Sequence, residues 1–351
     1  MSLSEFSVSL VIANYNNCEY LIKCFSCITN QTHSNFEVIV VDDCSTDESI
    51  ETIKAYAKID KRFRFYENKV NLGVSLSLNI AISYAKFDYI LRHDPDDFLV
   101  DNAIELLLTR MLEGDVDIVS GQALAFGSQS GLTSWPLINS ELKKALLIES
   151  PIHQPCALIK KSVIDELKYS NVPSEDYDLW IRAAKKGFKF ANVPELITYY
   201  RRHSTNLTMV KKDEIFYEHI PKLRKLALQT LEPSLSENDA DIFSRALDHN
   251  GLTRSELVYL PDVFDRIFPE YQSYSHSLKK IIAYYWYRVL IAHSKFGLFS
   301  FRLISRTRYI KDLESINLFV LFFMCVFRVS FESKPYKILN LIKHRIRLGR
   351  K

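Results

Sequence analysis

Phe36-Glu37-Val38-Ile39-Val40-Val41-Asp42-Asp43-Cys44-Ser45-Thr46-Asp47-Glu48-Ser49 passes from an unbroken apolar run, through paired carboxylates, to a helix-start signal. An apolar run without alternation reads as a strand buried on both faces, as in a parallel sheet covered by helices. Ser45 followed three residues later by Glu48 predicts a capping box and a helix over about 46–59. The turn Asp42–Ser45 is therefore expected at the carboxyl end of a strand, where α/β sheets bind their ligands.

The same alternation continues on both sides. Strands are expected at Val8–Ala13, Phe36–Val41, Phe63–Glu67, Phe87–Arg92 and Val116–Ser120, and helices near 18–30, 46–59, 74–86 and 101–113. The expected fold class is α/β, a mostly parallel sheet flanked by helices and followed by a mainly helical C-terminal region. Polar clusters then fall on one rim: Asn14-Tyr15-Asn16-Asn17 after the first strand, Asp42-Asp43 after the second, Asn71-Leu72-Gly73 beyond the third and His93-Asp94-Pro95-Asp96-Asp97 after the fourth. No G-x-G-x-x-G or G-x-x-x-x-G-K-[ST] occurs, so a bound phosphate needs another counter-charge.

Asp94, Asp96 and Asp97 crowd three carboxylates into four residues. Their repulsion is removed by a hard divalent cation, Mg²⁺ or Mn²⁺, which binds one or two carboxylates together with waters and phosphate oxygens. A solvated acidic turn, or acids stabilising a helix N-terminus, is the plainer reading, but Asp101-Asn102 already supplies that capping role further on. Ser174-Glu175-Asp176-Tyr177-Asp178-Leu179-Trp180 opens an amphipathic helix whose first-turn acids either stabilise the helix or serve as a general base. A short strand at Leu196–Tyr200 leads into Arg201-Arg202-His203-Ser204, where cations and an imidazole can meet a diphosphate.

In SLVIANYNNCEYL, VIVVDDCSTDES, NLGVSLSLNIAI, YILRHDPDDF and SEDYDLWIRAAKKG, in that order, residues 6–205 resemble the family 2 glycosyltransferases, with their nucleotide-sugar-binding GT-A-type fold. The resemblance implies that Asn14, Tyr15, Asn16, Asp43 and Asn71 help to hold the nucleotide. Asp96 and Asp97, with Asp94 nearby, then form the D-x-D-type site for ribose, diphosphate and Mn²⁺ or Mg²⁺. His203 falls beside the diphosphate or metal, Asp176 is the base, and His153, Glu175 and Trp180 lie on the acceptor side. The implied reaction is inverting transfer of a hexosyl or N-acetylhexosaminyl group from a nucleotide-sugar, with UDP favoured, to a hydroxyl of a glycan or lipid-linked acceptor in surface polysaccharide synthesis. Loops around 121–150 and 203–215 are expected to order over the donor. Cys44 departs from the usual Gly of D-D-G-S, and Pro95 stiffens the acidic turn. Two other readings are a nucleotidyltransferase, which lacks its basic glycine-rich loop here, and a non-catalytic scaffold of the same fold, which need keep neither the acidic cluster nor Asp176.

Composition bounds the rest. The 351 residues, 47% hydrophobic and 25% charged, exclude a disordered or fibrous chain. The net charge of +3 conceals an asymmetry, because residues 273–351 hold 16 Lys/Arg and 3 Asp/Glu. Three regions are expected: a catalytic domain over 1–205, a helical extension over 206–272 and a basic, aromatic-rich region over 273–351. The stretch 278–309 carries seven Lys/Arg and no acid among large apolar residues, which fits helices on an anionic membrane surface better than a nucleic-acid face. Ile316–Phe327 is too short to cross a bilayer. The N-terminus has no basic residue before its apolar run, so the expected location is cytoplasmic and peripheral on the inner face of the membrane. Cys24-x-x-Cys27 has no second Cys or His pair nearby and reads as two thiols on one helix face.

Overall fold

The computed structural model describes residues 3–128, 130–204, 206, 210–211, 213–248, 251–304, 307–329 and 333–339. Parts of the expected ordering loops (129, 205, 207–209, 212) and the last cationic residues (340–351) lie outside the described set. The chain divides into two compact units, Met1–Leu223 and Arg224–Lys351.

The first unit is built on β1 (Val8–Asn14), β2 (Phe36–Asp42), β3 (Phe63–Glu67), β4 (Tyr89–Arg92), β5 (Phe98–Leu99), β6 (Ile118–Gly127), β7 (Gly131–Leu132), β8 (Leu158–Lys160) and β9 (Phe190–Arg202). Their order is β3-β2-β1-β4-β8-β6-β9-β5, with β7 beside β6. The long pairings β1/β2, β2/β3, β1/β4 and β6/β9 are parallel, while β8 joins the two halves antiparallel to both β4 and β6. Every residue of β2 is buried, as its apolar run requires. Around the sheet lie α1 (Cys18–Thr29), α2 (Ser49–Ile59), α3 (Val74–Ser83), α4 (Ala103–Glu113), α5 (Asn139–Ala145), α6 (Lys161–Leu167) and α7 (Glu175–Lys185). Leu21, Cys24, Phe25 and Ile28 form the buried stripe of α1, at the three- and four-residue steps of a helix face. Cys27 Sγ donates to the Cys24 carbonyl at 3.0 Å and Cys24 Sγ to the Asp94 carbonyl at 3.7 Å, so both thiols serve the packing of that face.

Two local expectations change. Ser45 and Glu48 do not form a capping box: α2 starts at Ser49, and the Ser45 hydroxyl and amide both donate to Asp42, at 2.7 and 2.8 Å. The buried Asp42 carboxylate competes for Ser45 more strongly than the helix end does. The short strand at Leu196–Tyr200 is the second half of the 13-residue β9. Its first half is disguised by Pro194 and Glu195, which sit in an irregularity where the pairing steps from Ser120–Asn192 to Gln122–Leu196. Proline lacks the N–H a ladder needs, so a bulge is where a paired strand tolerates it.

The second unit is helical: the end of α8 (Ile220–Leu231), then α9 (Glu237–Leu247), α10 (Arg254–Ile267), α11 (His276–Ala292), α12 (Leu298–Ile304) and α13 (Ser315–Val326). A capping box does form here, at Thr253 and Glu256. The core gathers Phe243, Phe264, Phe268, Trp286 and Tyr309, with the Tyr309 hydroxyl donating to Asp265 at 2.6 Å. Leu278, Ile282, Trp286, Val289 and Leu290 of α11 are wholly buried. These five apolar residues, expected on a membrane surface, are thus core, while Tyr284 stays exposed. No helix among the described residues is long and apolar enough to cross a membrane.

Candidate active site

β1 lies between β2, to which the chain passes next, and β4, which it reaches only later. Such a switch point opens a crevice at the carboxyl ends of the strands. The β1/β2 register sets Asn14 beside Asp42, and Asn14 Nδ2 donates to Asp42 Oδ1 at 2.7 Å. Asn14 Oδ1 stays buried without a partner. Asn16, at φ +52°, donates its amide to Ser45 Oγ and accepts from the Thr46 amide, while Tyr15 next to it is 46% exposed. Cys44 is at φ +65°, the left-handed region in which glycine is the easiest residue to place.

Asp43 is 3% exposed and accepts from Asn68 Nδ2 and the Leu72 amide on Oδ1, and from the Gly73 amide on Oδ2, all at 2.7–2.8 Å. It therefore organises the loop before α3 and keeps one acceptor position on Oδ2. Asn71 is exposed on that loop. Gly73 turns the chain at φ +86° into α3.

Beyond β4 the acidic loop folds back under the end of β9. The Arg201 amide donates to Asp97 Oδ1 at 2.7 Å and Arg201 Nε donates to the Asp96 carbonyl at 3.1 Å. The Arg201 guanidinium is packed over the rings of Tyr20, Phe98 and Phe126, so it clamps the loop. Asp96 Oδ2 lies 2.9 Å from His203 Nε2 and accepts from Asn206 Nδ2 at 3.0 Å. Asp94 pairs with Arg92, a residue only 5% exposed. Asp94, Asp96 and Asp97 offer oxygens all within 4.8 Å of one another. Asp97 Oδ2 is buried with no partner. Burial, and then the neighbouring carboxylates, raise the pKa of Asp96 and Asp97. Orphaned, mutually repelling carboxylate oxygens fit a divalent cation.

Glu175 and Asp176 begin α7 after Ser174, which is itself left-handed at φ +59°. Glu175 is 8% exposed and Asp176 half-buried. Burial first, and then Asp176, push Glu175 up to about 7, against the pull of Arg92. Burial also raises Asp176, while the Tyr177 amide and Arg92 oppose the rise. Arg92 thus connects the acidic loop electrostatically with the start of α7. His153, half-buried, meets Tyr200 edge-on at 5.1 Å, and burial lowers its pKa to about 4, so it is neutral at pH 7. Its Nε2 and that of the buried His93 are unpartnered. Trp180 is a correction: at 0% exposure it presents no surface to an acceptor, because the helix turns it into the core.

The structure brings Asp94, Asp96, Asp97 and His203 together, with Glu175, Asp176 and His153 within electrostatic reach of Asp94, and sets Asn14, Asn16 and Asp43 at the neighbouring strand ends. Arg92, Asn206 and the amide of Arg201 were not singled out from the sequence. Only Arg92 carried a signal, as a charge ending a buried strand.

A sequence profile described as "Glycosyl transferase family 2" matches residues 9–168. An uncharacterized glycosyltransferase of Haemophilus influenzae is 31% identical over 223 residues, 59% of this chain and 69% of that protein. The O-antigen biosynthesis glycosyltransferase WbnJ of Escherichia coli is 28% identical over 222 residues, 60% of this chain and 85% of that one. Among solved structures, S. aureus TarS 1–349 in complex with UDP-GlcNAc has the same fold, at a TM-score of 0.51, with 14% identity and 93% of each chain covered.

Proposed function

The chain belongs to glycosyltransferase family 2, and on that premise we propose that it is an inverting, metal-dependent enzyme moving a hexosyl or N-acetylhexosaminyl group from a nucleotide-sugar to a hydroxyl of a glycan or lipid-linked acceptor. The observation that carries this reading is the acidic loop at the β1/β4 switch point, with its unpartnered Asp97 oxygen, in electrostatic contact with the buried Glu175 and half-buried Asp176 that start α7. UDP is the favoured nucleotide, supported by the UDP-GlcNAc held by TarS on the same fold. A role in surface polysaccharide assembly, at the inner face of the membrane, is supported by the O-antigen enzyme among the relatives and by the cationic C-terminal region.

Asn14, Tyr15 and Asn16 would receive the base and ribose, with Asp43 and Asn71 on the adjoining loop. Asp96 and Asp97, with Asp94 and His203 beside them, would hold Mn²⁺ or Mg²⁺, which supplies positive charge against the departing diphosphate. Asp176 takes the proton of the incoming acceptor hydroxyl. Glu175 retains its own proton to about pH 7, leaving the negative charge of the pair on Asp176. His153, neutral, offers its unpartnered Nε2 to the acceptor side. Attack opposite the leaving group inverts the anomeric carbon without a covalent enzyme intermediate, and holding both substrates in line supplies much of the rate.

The test is binding and hydrolysis of UDP-, GDP-, dTDP- and CMP-sugars with and without Mn²⁺, in wild type and Asp97→Asn. Metal-dependent selection of one donor, lost in Asp97→Asn, is the expected result. Failure to bind any donor would refute the assignment.

A further inference from the structure

Most apolar residues of α11 are buried, Tyr284 excepted, yet the second unit does expose a large apolar face, on α13. Phe319 is 61% exposed, Phe322 46% and Val326 42%, and Phe327, just past the helix end, is 63% exposed. Steps of three and four residues put Phe319, Phe322 and Val326 on one face, while Asn317, Val320, Leu321, Met324 and Cys325 fill the buried one. Aromatic side chains grouped on a surface in this way mark an interaction site.

We propose that the outer face of α13, with the exposed Arg328, Lys334 and Lys337 after it, docks on an anionic lipid bilayer. Residues 315–351 hold eight Lys/Arg and one acid, Glu332. Of these cations Arg328, Lys334 and Lys337 are exposed. An occupant must therefore accept bulky aromatic groups and supply anions beside them, and the boundary between acyl chains and headgroups does both. A second copy of the chain would bring two such cationic sets face to face. An anionic polymer such as nucleic acid pairs with the charges and leaves the phenylalanines in water. With 12 residues, α13 lies along the interface and does not cross it.

The proposal deepens the membrane location proposed above by naming the docking surface and does not rest on sugar transfer, so vesicle binding reads it without turnover. The full chain is sedimented with phosphatidylglycerol/phosphatidylcholine vesicles and with phosphatidylcholine alone, as wild type, as Phe319→Ser/Phe322→Ser and as Ile59→Ser, a control at an 81% exposed position of the first unit. Wild type and control are expected to bind the anionic vesicles, with salt weakening the binding, and the double variant to bind at least about tenfold more weakly. Equal binding by the double variant, equal binding to uncharged vesicles or no binding by wild type would overturn the proposal. So would a wild-type dimer in light scattering that the double variant converts to monomer, which would give the face to a second copy. Donor hydrolysis measured on the same preparations reports the transferase reading separately.

Discussion

A buried carboxylate lowers its energy either by keeping a proton or by finding a cation, and the acidic residues of this site divide between the two. Asp97 is 0% exposed, with one oxygen held by the Arg201 amide and the other free. Its geometry therefore favours a cation. Glu175 has no such cluster and keeps a proton instead, which makes the Glu175–Asp176 pair a single acid-base unit. Replacing Asp176 by Asn is expected to leave donor binding nearly intact and to lower transfer by at least about a hundredfold, measured as kcat against donor Kd. Glu175 has a stability signature of its own. Its pKa is raised from 4.5 in the free side chain to about 7 in the fold, so its contribution is complete below pH 4.5 and is lost as pH rises through 7. Glu175→Gln removes that dependence. The variant is expected to gain stability relative to wild type between pH 5 and pH 8, read from urea midpoints at the two values.

At the scale of elements, the site is held by strand ends more than by helices. β9 runs alongside β6 as far as the Gly127–Arg202 pair, which places the Arg201 amide over the acidic loop. Gly127 is at φ +96°, and a Cβ there would sit 2.5 Å from the Arg202 carbonyl oxygen. Gly127→Ala is therefore expected to cost about 1–3 kcal/mol of stability in urea unfolding and to raise KM for the donor, because the displaced residue adjoins the clamp. The irregular pairing around Pro194, and a second shift between Gln122–Leu196 and Ala123–Thr198, precede this segment and leave Thr198 to Arg202 in parallel register to the end. On the other side of the crevice, Asp43 spends three acceptor positions on Asn68, Leu72 and Gly73. It positions a loop beside the nucleotide end proposed for the crevice.

For the whole molecule, the two units carry different chemistry, and ligand binding should mark them differently. UDP with Mn²⁺ is expected to slow amide hydrogen exchange at 72–73, 93–97 and 201 in Met1–Leu223 while leaving α9 to α11 unchanged, as followed by mass spectrometry. Equal protection in both units would count against a donor site confined to the first. The parallel strands β1 to β4, the α/β class and the acidic cluster were legible in the sequence because each depends on neighbours along the chain, whereas the short antiparallel β5, β7 and β8 were not expected, since two or three residues carry no periodicity. A parallel strand buried on both faces must be an unbroken apolar run, and Asp94, Asp96 and Asp97 are contiguous whatever the fold does. The capping box expected at Ser45 failed because a buried carboxylate three residues away outcompeted the helix end, and the front of β9 was hidden by its own proline. Trp180 looked available, and the apolar residues of α11 looked free for a surface, for one reason: composition reports what a side chain is and not which side of a helix is covered. By itself the sequence determined the order of elements and the acids at their ends. The tertiary structure alone decided that Asn206 would meet Asp96 across 110 residues, that Arg92 would be buried between two acidic clusters and that the phenylalanines of α13 would face outward, since pairing and burial depend on chain segments distant in sequence.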